Sequence, residues 1–434
     1  MLGFAESDSE DELPSGWEER TTLDNRVYYV NHFEKSVQWN HPRTDRRKTV
    51  PAELPKNWKR IVDEENKILY ENQVTGFKTY ADPRLAVAFE ETGAEEEDEE
   101  QLPRQRFDAR TKALQVLHGI DLSNKTVMIT GGTSGIGLEV VKAMLFHGAN
   151  VIIACRNISR ARDTVAKLHT DRRCVKVEFI HCDFASMSSV RRCAETFLAS
   201  NWKLNVLILN AATLEYSYSV TEDGLERTFS VNYLGQFYLT TFLLKKLQNS
   251  APARIVITTG ESHRLYVLFS ANYHNLDEDE LISRITLTPE NKDSYSGIIA
   301  YSISKLCLTM FAFYLNEKLS KQRVFCNAVH PGNLVPTRLY RRYCCFRALV
   351  WLLKPFTKSA DQAASTIVFA AFSPDLNNIG GVYLNSCWFC SPSATSTNRT
   401  LQRRLWNVSN EILNSIGATF RIIHDIIQPI RLNS

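Results

Sequence analysis

The chain has 434 residues, 44% of them apolar and 23% charged, with 18 glycines and 14 prolines. That length suits two to four domains, and the composition excludes a collagen-like, low-complexity or predominantly disordered chain. A net charge of +3 hides an uneven division, because residues 1–110 hold 16 Lys and Arg against 25 Asp and Glu, whereas the remainder holds 35 against 23. Unlike modules joined in one chain are therefore expected.

Residues 1–12 are acidic, which does not suit a signal peptide. The first 85 residues then contain one element twice, at an offset of 41. Leu13-Pro14 returns as Leu54-Pro55, Trp17 as Trp58, Tyr29 as Tyr70, Asn31 as Asn72, and Pro42-Arg43 as Pro83-Arg84, with Trp39 becoming Tyr80. Short β-rich runs separated by turns predict a three-stranded antiparallel sheet in each copy, 13–46 and 50–86. Units of about 30 residues are too small for an ordinary core, so Trp17 is expected to pack on Pro42 and Trp58 on Pro83. Trp39 is left for another task. Between the copies, Arg46-Arg47-Lys48 reads as a solubilising basic cluster.

This pattern resembles the WW domain. The resemblance implies binding of proline-rich PPxY peptides, with Tyr28, His32 and Trp39 forming the groove of the first copy. Such a ligand is a preformed polyproline II helix that loses little entropy on docking against aromatic rings. The second copy has Leu69, Gln73 and Tyr80 at the matching positions, so its groove is expected to be poor and its role to be support of the first.

Residues 87–110 include eight acids in the eleven positions 90–100 and read as a solvated linker. From 120 to 392 apolar strands alternate with helical stretches: 126–130, 151–154, 177–180, 206–209, 254–258 and 324–328. Continuous apolar runs are what strands buried on both faces look like, and the predicted fold is α/β, a doubly wound parallel sheet. Its first strand runs into Gly131, Gly132, Thr133, Ser134, Gly135, Ile136 and Gly137, then a helix, the arrangement that places backbone amides on a pyrophosphate. Arg156 closes the second strand where an acid would hold ribose hydroxyls, which favours the 2′-phosphate of NADP(H) over NAD(H). Tyr301 and Lys305, four apart on a helix, share one face, and a cation there stabilises a phenolate.

The Thr-Gly-x-x-x-Gly-Ile-Gly spacing resembles the short-chain dehydrogenase/reductase family, and the likeness spans about 270 residues. It implies that Asp183 contacts adenine, that Asn210 belongs to the Asn-Ala-Ala signature, and that Asn232, Tyr301 and Lys305 form the catalytic set. By the same resemblance Lys305 also holds the nicotinamide ribose, while Pro331, Gly332 and Thr337 lie near the nicotinamide. The serine that polarises the substrate carbonyl in that family is replaced by Gly260, leaving Thr259 or Ser262 to supply a hydroxyl at the substrate position. Two readings stand at this point: a working oxidoreductase for a small apolar alcohol or carbonyl, such as a steroid or retinoid, or a scaffold whose nucleotide-binding domain is catalytically impaired.

The whole combination resembles oxidoreductases that carry WW domains. This implies PPxY partners including transcription factors, a regulatory phosphotyrosine at Tyr29, and a cytoplasmic protein with nuclear and mitochondrial pools. The ten cysteines, scattered in apolar runs of the basic part, are expected to be reduced thiols. Cys387 and Cys390 lack the companions of a zinc set, so no metal is expected. No run of 18 apolar residues predicts a transmembrane segment, the nearest being Phe346–Leu353, and the dispersed positive charge predicts no direct nucleic-acid contact. Residues 400–430 carry helical apolar spacing at Leu401, Leu405, Val408 and Ile412, which predicts a docked C-terminal helix.

Overall fold

The computed structural model describes residues 13–14, 16–22, 25–51, 53–62, 68–87, 89–90, 105–166, 176–265, 281–290, 292, 295–333, 335–336 and 357–418. The expectations for the acidic tail, most of the linker, Phe346–Leu353, Thr337 and the stretch after 418 lie outside these residues. Two compact units result, one formed by residues 1–108 with 118–121 and one by the rest.

In the first unit, β1 (Trp17–Thr21), β2 (Val27–Asn31) and β3 (Ser36–Gln38) form an antiparallel sheet. A short β4 (Lys48–Thr49) follows, and β5 (Trp58–Val62), β6 (Ile68–Asn72) and β7 (Lys78–Thr79) repeat the first sheet. Finally β8 (Phe89–Glu90) pairs antiparallel with β4. Strand alternation turns Val27, Tyr29 and Asn31 inward. Trp17, Leu13 and Leu85 pack against the small cluster of Val27, Tyr29 and Val50. Tyr29 is 0% exposed, with its ring 5.2 Å from that of His41, so the tyrosine singled out for phosphorylation is inaccessible in this conformation.

The copies are joined by a buried ion pair. Arg84 Nη2 lies 2.7 Å from Asp82 Oδ2, both side chains being almost fully enclosed. Asp82 accepts hydrogen bonds from Thr21 in the first copy at 2.6 Å and from Tyr70 in the second at 2.7 Å. Arg84 also donates to Asn25 Oδ1 at 2.5 Å and to the Pro51 carbonyl at 3.1 Å. Burial pushes the Asp82 carboxyl up, but these donors outweigh it and hold the group below its usual range. The second copy thus supports the first through a charged plug that leaves its own groove residue Tyr80 exposed.

In the second unit eight strands form one sheet, in chain order β9 (Thr126–Thr130), β10 (Asn150–Cys155), β11 (Val177–His181), β12 (Val206–Leu209), β13 (Ala253–Thr258), β14 (Val324–His330), β15 (Tyr383–Asn385) and β16 (Trp388–Cys390). Their spatial order is β11-β10-β9-β12-β13-β14-β15-β16, parallel except for the last. The order reverses beside β9, the switch point at which such sheets bind ligands. Six of these strands sit on the apolar runs read from the sequence. The last two, each three residues long, were not foreseen.

Helices cover the sheet: α1 (Gly135–Phe146), α2 (Ile158–Ala166), α3 (Met187–Leu198), α4 (Gly235–Asn249), α5 (Gly297–Leu319), α6 (Ala360–Phe372) and α7 (Arg399–Ser415). The α5 helix is long and apolar enough to cross a membrane, by length and composition alone, but most of it is buried in the protein core. An all-round apolar helix is what a central core position demands. The α7 helix docks on it over Arg399–Ser415, with Trp406 stacked on Tyr314 at 5.1 Å and edge to face with Phe237 of α4 at 4.9 Å. Ser409 and Tyr233 share a hydrogen bond at 2.9 Å. The seven described cysteines are free thiols.

Removing Arg84 would strand a buried carboxylate between the copies, a loss worth about 3–5 kcal/mol. Arg84→Ala is expected to lower the denaturation midpoint of the first unit in the full chain, while Lys59→Ala, which breaks a surface pair with Glu71, leaves it nearly unchanged.

Candidate functional site

The glycine turn between β9 and α1 is shaped by close approaches. Gly131 (φ +67°) and Gly135 (φ +55°) adopt left-handed backbone. A Cβ on Gly131 would meet Ala211 Cα at 2.8 Å, and one on Gly137 would meet the Gly131 carbonyl at 2.3 Å. Ser134 stands at the N-cap of α1 without capping it by its side chain, so the first-turn amides of Gly135 and Ile136 are open to an anion. Thr133 and Ser134 are half-buried beside Gly132, which packs under Val141 and Ile129. Arg156 is exposed at the end of β10. Asp183, past the end of β11, accepts the Ala185 amide at 3.0 Å. Asn210 Nδ2 reaches the Thr130 and Gly131 carbonyls at 3.4 Å.

A polar seam ties this turn to the helices behind it. Thr130 Oγ1 accepts the amides of Asn210 and Ala211 at 2.9 Å and donates to Gln236 Oε1 at 2.9 Å. Gln236 Nε2 donates to the carbonyls of Asn232 (2.6 Å) and Ala211 (3.0 Å). Asn232 lies on a π-helical turn, Ser230–Leu234, of the kind often found at functional sites. Its amide donates to the Thr213 carbonyl and to Ser304 Oγ, both at 3.0 Å, and its Oδ1 accepts the Thr213 amide at 2.7 Å. Asn232 therefore serves here as a brace between the Thr213 loop and α5. Gln236 and Ser304 were not singled out in the sequence, and Thr130 only as the residue that opens the glycine motif.

On α5, the Lys305 ammonium lies 5.5 Å from the centre of the Tyr301 ring, as their spacing demands. Lys305 is 2% exposed, and burial pulls its pKa down to about 8. Its one protein acceptor among the described residues is the Thr258 carbonyl at 3.0 Å. An ammonium has three N–H donors, so two remain for other oxygens. Together with the glycine cradle and the open helix terminus, those donors fit the phosphates and hydroxyls of a nicotinamide dinucleotide. Pro331 is buried after β14, and Gly332 (φ +120°) brings the chain against Lys358, which donates to Ser386 at 2.8 Å.

The segment after β13 distributes its side chains unevenly. Thr259 is turned toward β14, where its hydroxyl reaches the Val329 carbonyl at 3.4 Å. Glu261 binds Arg264 at 2.7 Å and the Tyr383 hydroxyl at 3.0 Å. His263 Nδ1 donates to the Gly260 carbonyl at 2.7 Å, and its Nε2 accepts the Ser393 amide at 3.1 Å, which defines a neutral imidazole. Ser262 Oγ and His330 Nδ1 are buried with no protein partner. His330 was missed in the sequence, although it directly precedes Pro331-Gly332.

In the first unit, the Tyr28 and Trp39 rings meet edge to face at 6.1 Å. Trp39 stays 41% exposed, with the Arg26 guanidinium 4.6 Å above it. His32 Nε2 lies 2.7 Å from Glu18 on the same exposed surface. The three expected groove residues are thus accessible on one small sheet.

Fold and site together define a short-chain dehydrogenase/reductase domain preceded by WW modules. The short chain dehydrogenase family profile matches residues 125–274 and the WW domain profile residues 13–42. The chain is 42% identical to the WW domain-containing oxidoreductase of Pongo abelii over 95% of its length and 96% of that protein's, and 41% identical to the Homo sapiens counterpart over the same shares. It is 34% identical to retinol dehydrogenase 12 of Mus musculus over 68% of this chain and 88% of that one. The chain belongs to the family of WW domain-containing oxidoreductases.

Burial lowers the pKa of His330 to about 4, with Lys358 and Lys305 adding to the effect against Glu261. The unfolded chain, with histidine near about 6.5, then binds more protons between those values. Stability of the reductase unit is expected to fall by up to about 3 kcal/mol as pH drops from 6.5 to 4. Denaturation at several pH values checks this, and His330→Leu should flatten the dependence.

Proposed function

We propose that the protein is an adaptor tethered to an NADP(H)-dependent oxidoreductase that interconverts a small apolar alcohol and its carbonyl. The observation that carries the reading is the buried Lys305 beside Tyr301, with one acceptor for its three N–H donors among the described residues, which leaves two for an oxygen-rich ligand. Bound against the glycine turn, the nicotinamide supplies or accepts hydride. Lys305 holds ribose hydroxyls and favours the phenolate of Tyr301, whose ordinary pKa of about 10 otherwise makes it a weak base near neutrality. In reduction Tyr301 gives its proton to the substrate oxygen, and in oxidation it takes that proton back. Arg156, exposed at the end of β10, pairs with the 2′-phosphate.

The first WW copy binds PPxY segments through Tyr28, His32 and Trp39, and the second braces it. A regulatory scaffold that binds nucleotide without turnover is the competing reading, favoured by the missing side chain at Gly260.

NADPH is expected to bind at least tenfold more tightly than NADH, and Arg156→Ala to remove most of that preference, measured by nucleotide fluorescence. Tyr301→Phe should abolish NADPH-dependent reduction of aliphatic aldehydes while leaving nucleotide binding intact. A wild-type chain that binds NADPH but reduces nothing would support the scaffold reading. In peptide titrations of the full chain, Trp39→Ala should weaken binding of a PPxY peptide on the order of thirtyfold, the loss of one groove aromatic being worth about 2 kcal/mol, and Tyr80→Ala should leave it within about twofold.

A further inference from the structure

Gly260 has φ 172°, extended backbone open to any residue, so conformation does not require glycine there. A Cβ built on it would meet Ser262 Oγ at 3.5 Å and His330 Nδ1 at 4.0 Å, ordinary contacts, and nothing else within 4 Å among the described residues outside its chain neighbours. The glycine therefore leaves a small space, with two polar atoms at its edge that are buried and lack protein partners. Buried polar groups are nearly always satisfied, and an exception calls for an explanation, a catalytic role or a bound oxygen among them. The hydroxyl of Thr258 is also unpartnered but lies beyond 4 Å from that point.

The flanking groups are all committed. The Thr258 carbonyl holds Lys305, the Gly260 carbonyl is fixed by His263, Thr259 is bonded toward Val329, and Glu261 is held by Arg264 and Tyr383. Ser262 sits in the turn Glu261–Arg264, which packs on α5, the helix of Tyr301 and Lys305.

We propose that the Ser262 hydroxyl and His330, as the tautomer that carries its proton on Nδ1, together form the seat for the substrate's carbonyl oxygen, replacing the single hydroxyl that residue 260 lacks. The inference rests on the reductase reading above. Hydride adds to the carbonyl carbon as the C=O π pair moves to oxygen, and Tyr301 donates the proton that completes the alcohol; the nicotinamide is oxidised and the carbonyl reduced. Ser262 and His330 transfer nothing. They stabilise charge growing on the oxygen, the role in which one aimed donor is worth roughly a hundredfold or more in rate.

The test uses the full chain with NADPH, decanal as substrate and decanamide as an unreactive carbonyl analogue. Ser262→Ala is expected to lower kcat about a hundredfold and weaken decanamide binding to the NADPH complex at least tenfold, with NADPH affinity unchanged. Adding Gly260→Ser to Ser262→Ala should recover most of the loss, an outcome that a merely structural role for Ser262 would not give. His330→Gln, which keeps an N–H donor, should lose less than His330→Leu. Ser262→Ala indistinguishable from wild type in both turnover and decanamide binding overturns the proposal, even where Tyr301→Phe is inactive and the reductase reading stands. Equal inertness of wild type and Tyr301→Phe instead overturns the reductase reading, and decanamide affinity then decides separately whether Ser262 seats a carbonyl: a tenfold loss in Ser262→Ala supports the seat, and no loss overturns it.

Discussion

The reductase unit is organised around one ammonium group buried in an apolar helix. Lys305 lies on α5, which is part of the central core, with a single protein acceptor among the described residues. Burying a cation with most of its hydrogen-bonding capacity unused costs stability, and burial registers that cost as a pKa lowered to about 8. Such a cost persists where a ligand offsets it. The surrounding geometry follows: β13 ends so that the Thr258 carbonyl meets Lys305, the π-helical turn places Asn232 against Ser304 one residue away, and the Thr130–Gln236 seam locks the glycine turn to the same helix pair.

The first unit meets the opposite difficulty, since each of its sheets is too thin to hide all its aromatic residues. Tyr29 and Trp17 supply the first core, leaving Tyr28 and Trp39 on the wet face. What the small core cannot supply comes from the neighbouring copy, whose Asp82 and Arg84 reach Thr21, Asn25 and Pro51. A charged plug is a demanding joint, because both ions lose water and every remaining lone pair and proton needs a partner. Here Tyr70, Thr21 and the backbone provide them. The Arg84 of the second copy's ending thus has a structural task that does not depend on its groove positions, Leu69, Gln73 and Tyr80.

Much of this was legible in the sequence because it is written locally. The glycine turn, the Tyr301–Lys305 spacing and the strand runs are short-range signals, and the repeat at offset 41 exposed both small sheets. What escaped depends on residues far apart in the chain. Nothing in one sequence says that Asp82 meets Thr21, that His330 faces Gly260 from another strand, or that Asn232 spends its amide on Ser304. The choice between Thr259 and Ser262 was equally closed to sequence reading, since it turns on which side chain β14 captures. The edge strands β15 and β16 are too short and too mixed in composition to announce themselves.

The two units betray their ligands by inverse anomalies. In water an exposed tryptophan is the misplaced group, and its natural complement is an apolar surface that is already ordered, which a proline-rich helix offers. In the reductase core the misplaced groups are polar: two N–H bonds of Lys305, the hydroxyl of Ser262 and one nitrogen of His330. Their complement must bring oxygen atoms into a dry site. Lys305 calls for hydroxyls at a fixed place beside the glycine turn, whereas Ser262 and His330 call for a single acceptor at the empty side-chain position of Gly260. In the proposed reductase a nucleotide sugar and a carbonyl would answer those demands separately, so that the side chain absent at position 260 would be replaced from two other elements of the same unit.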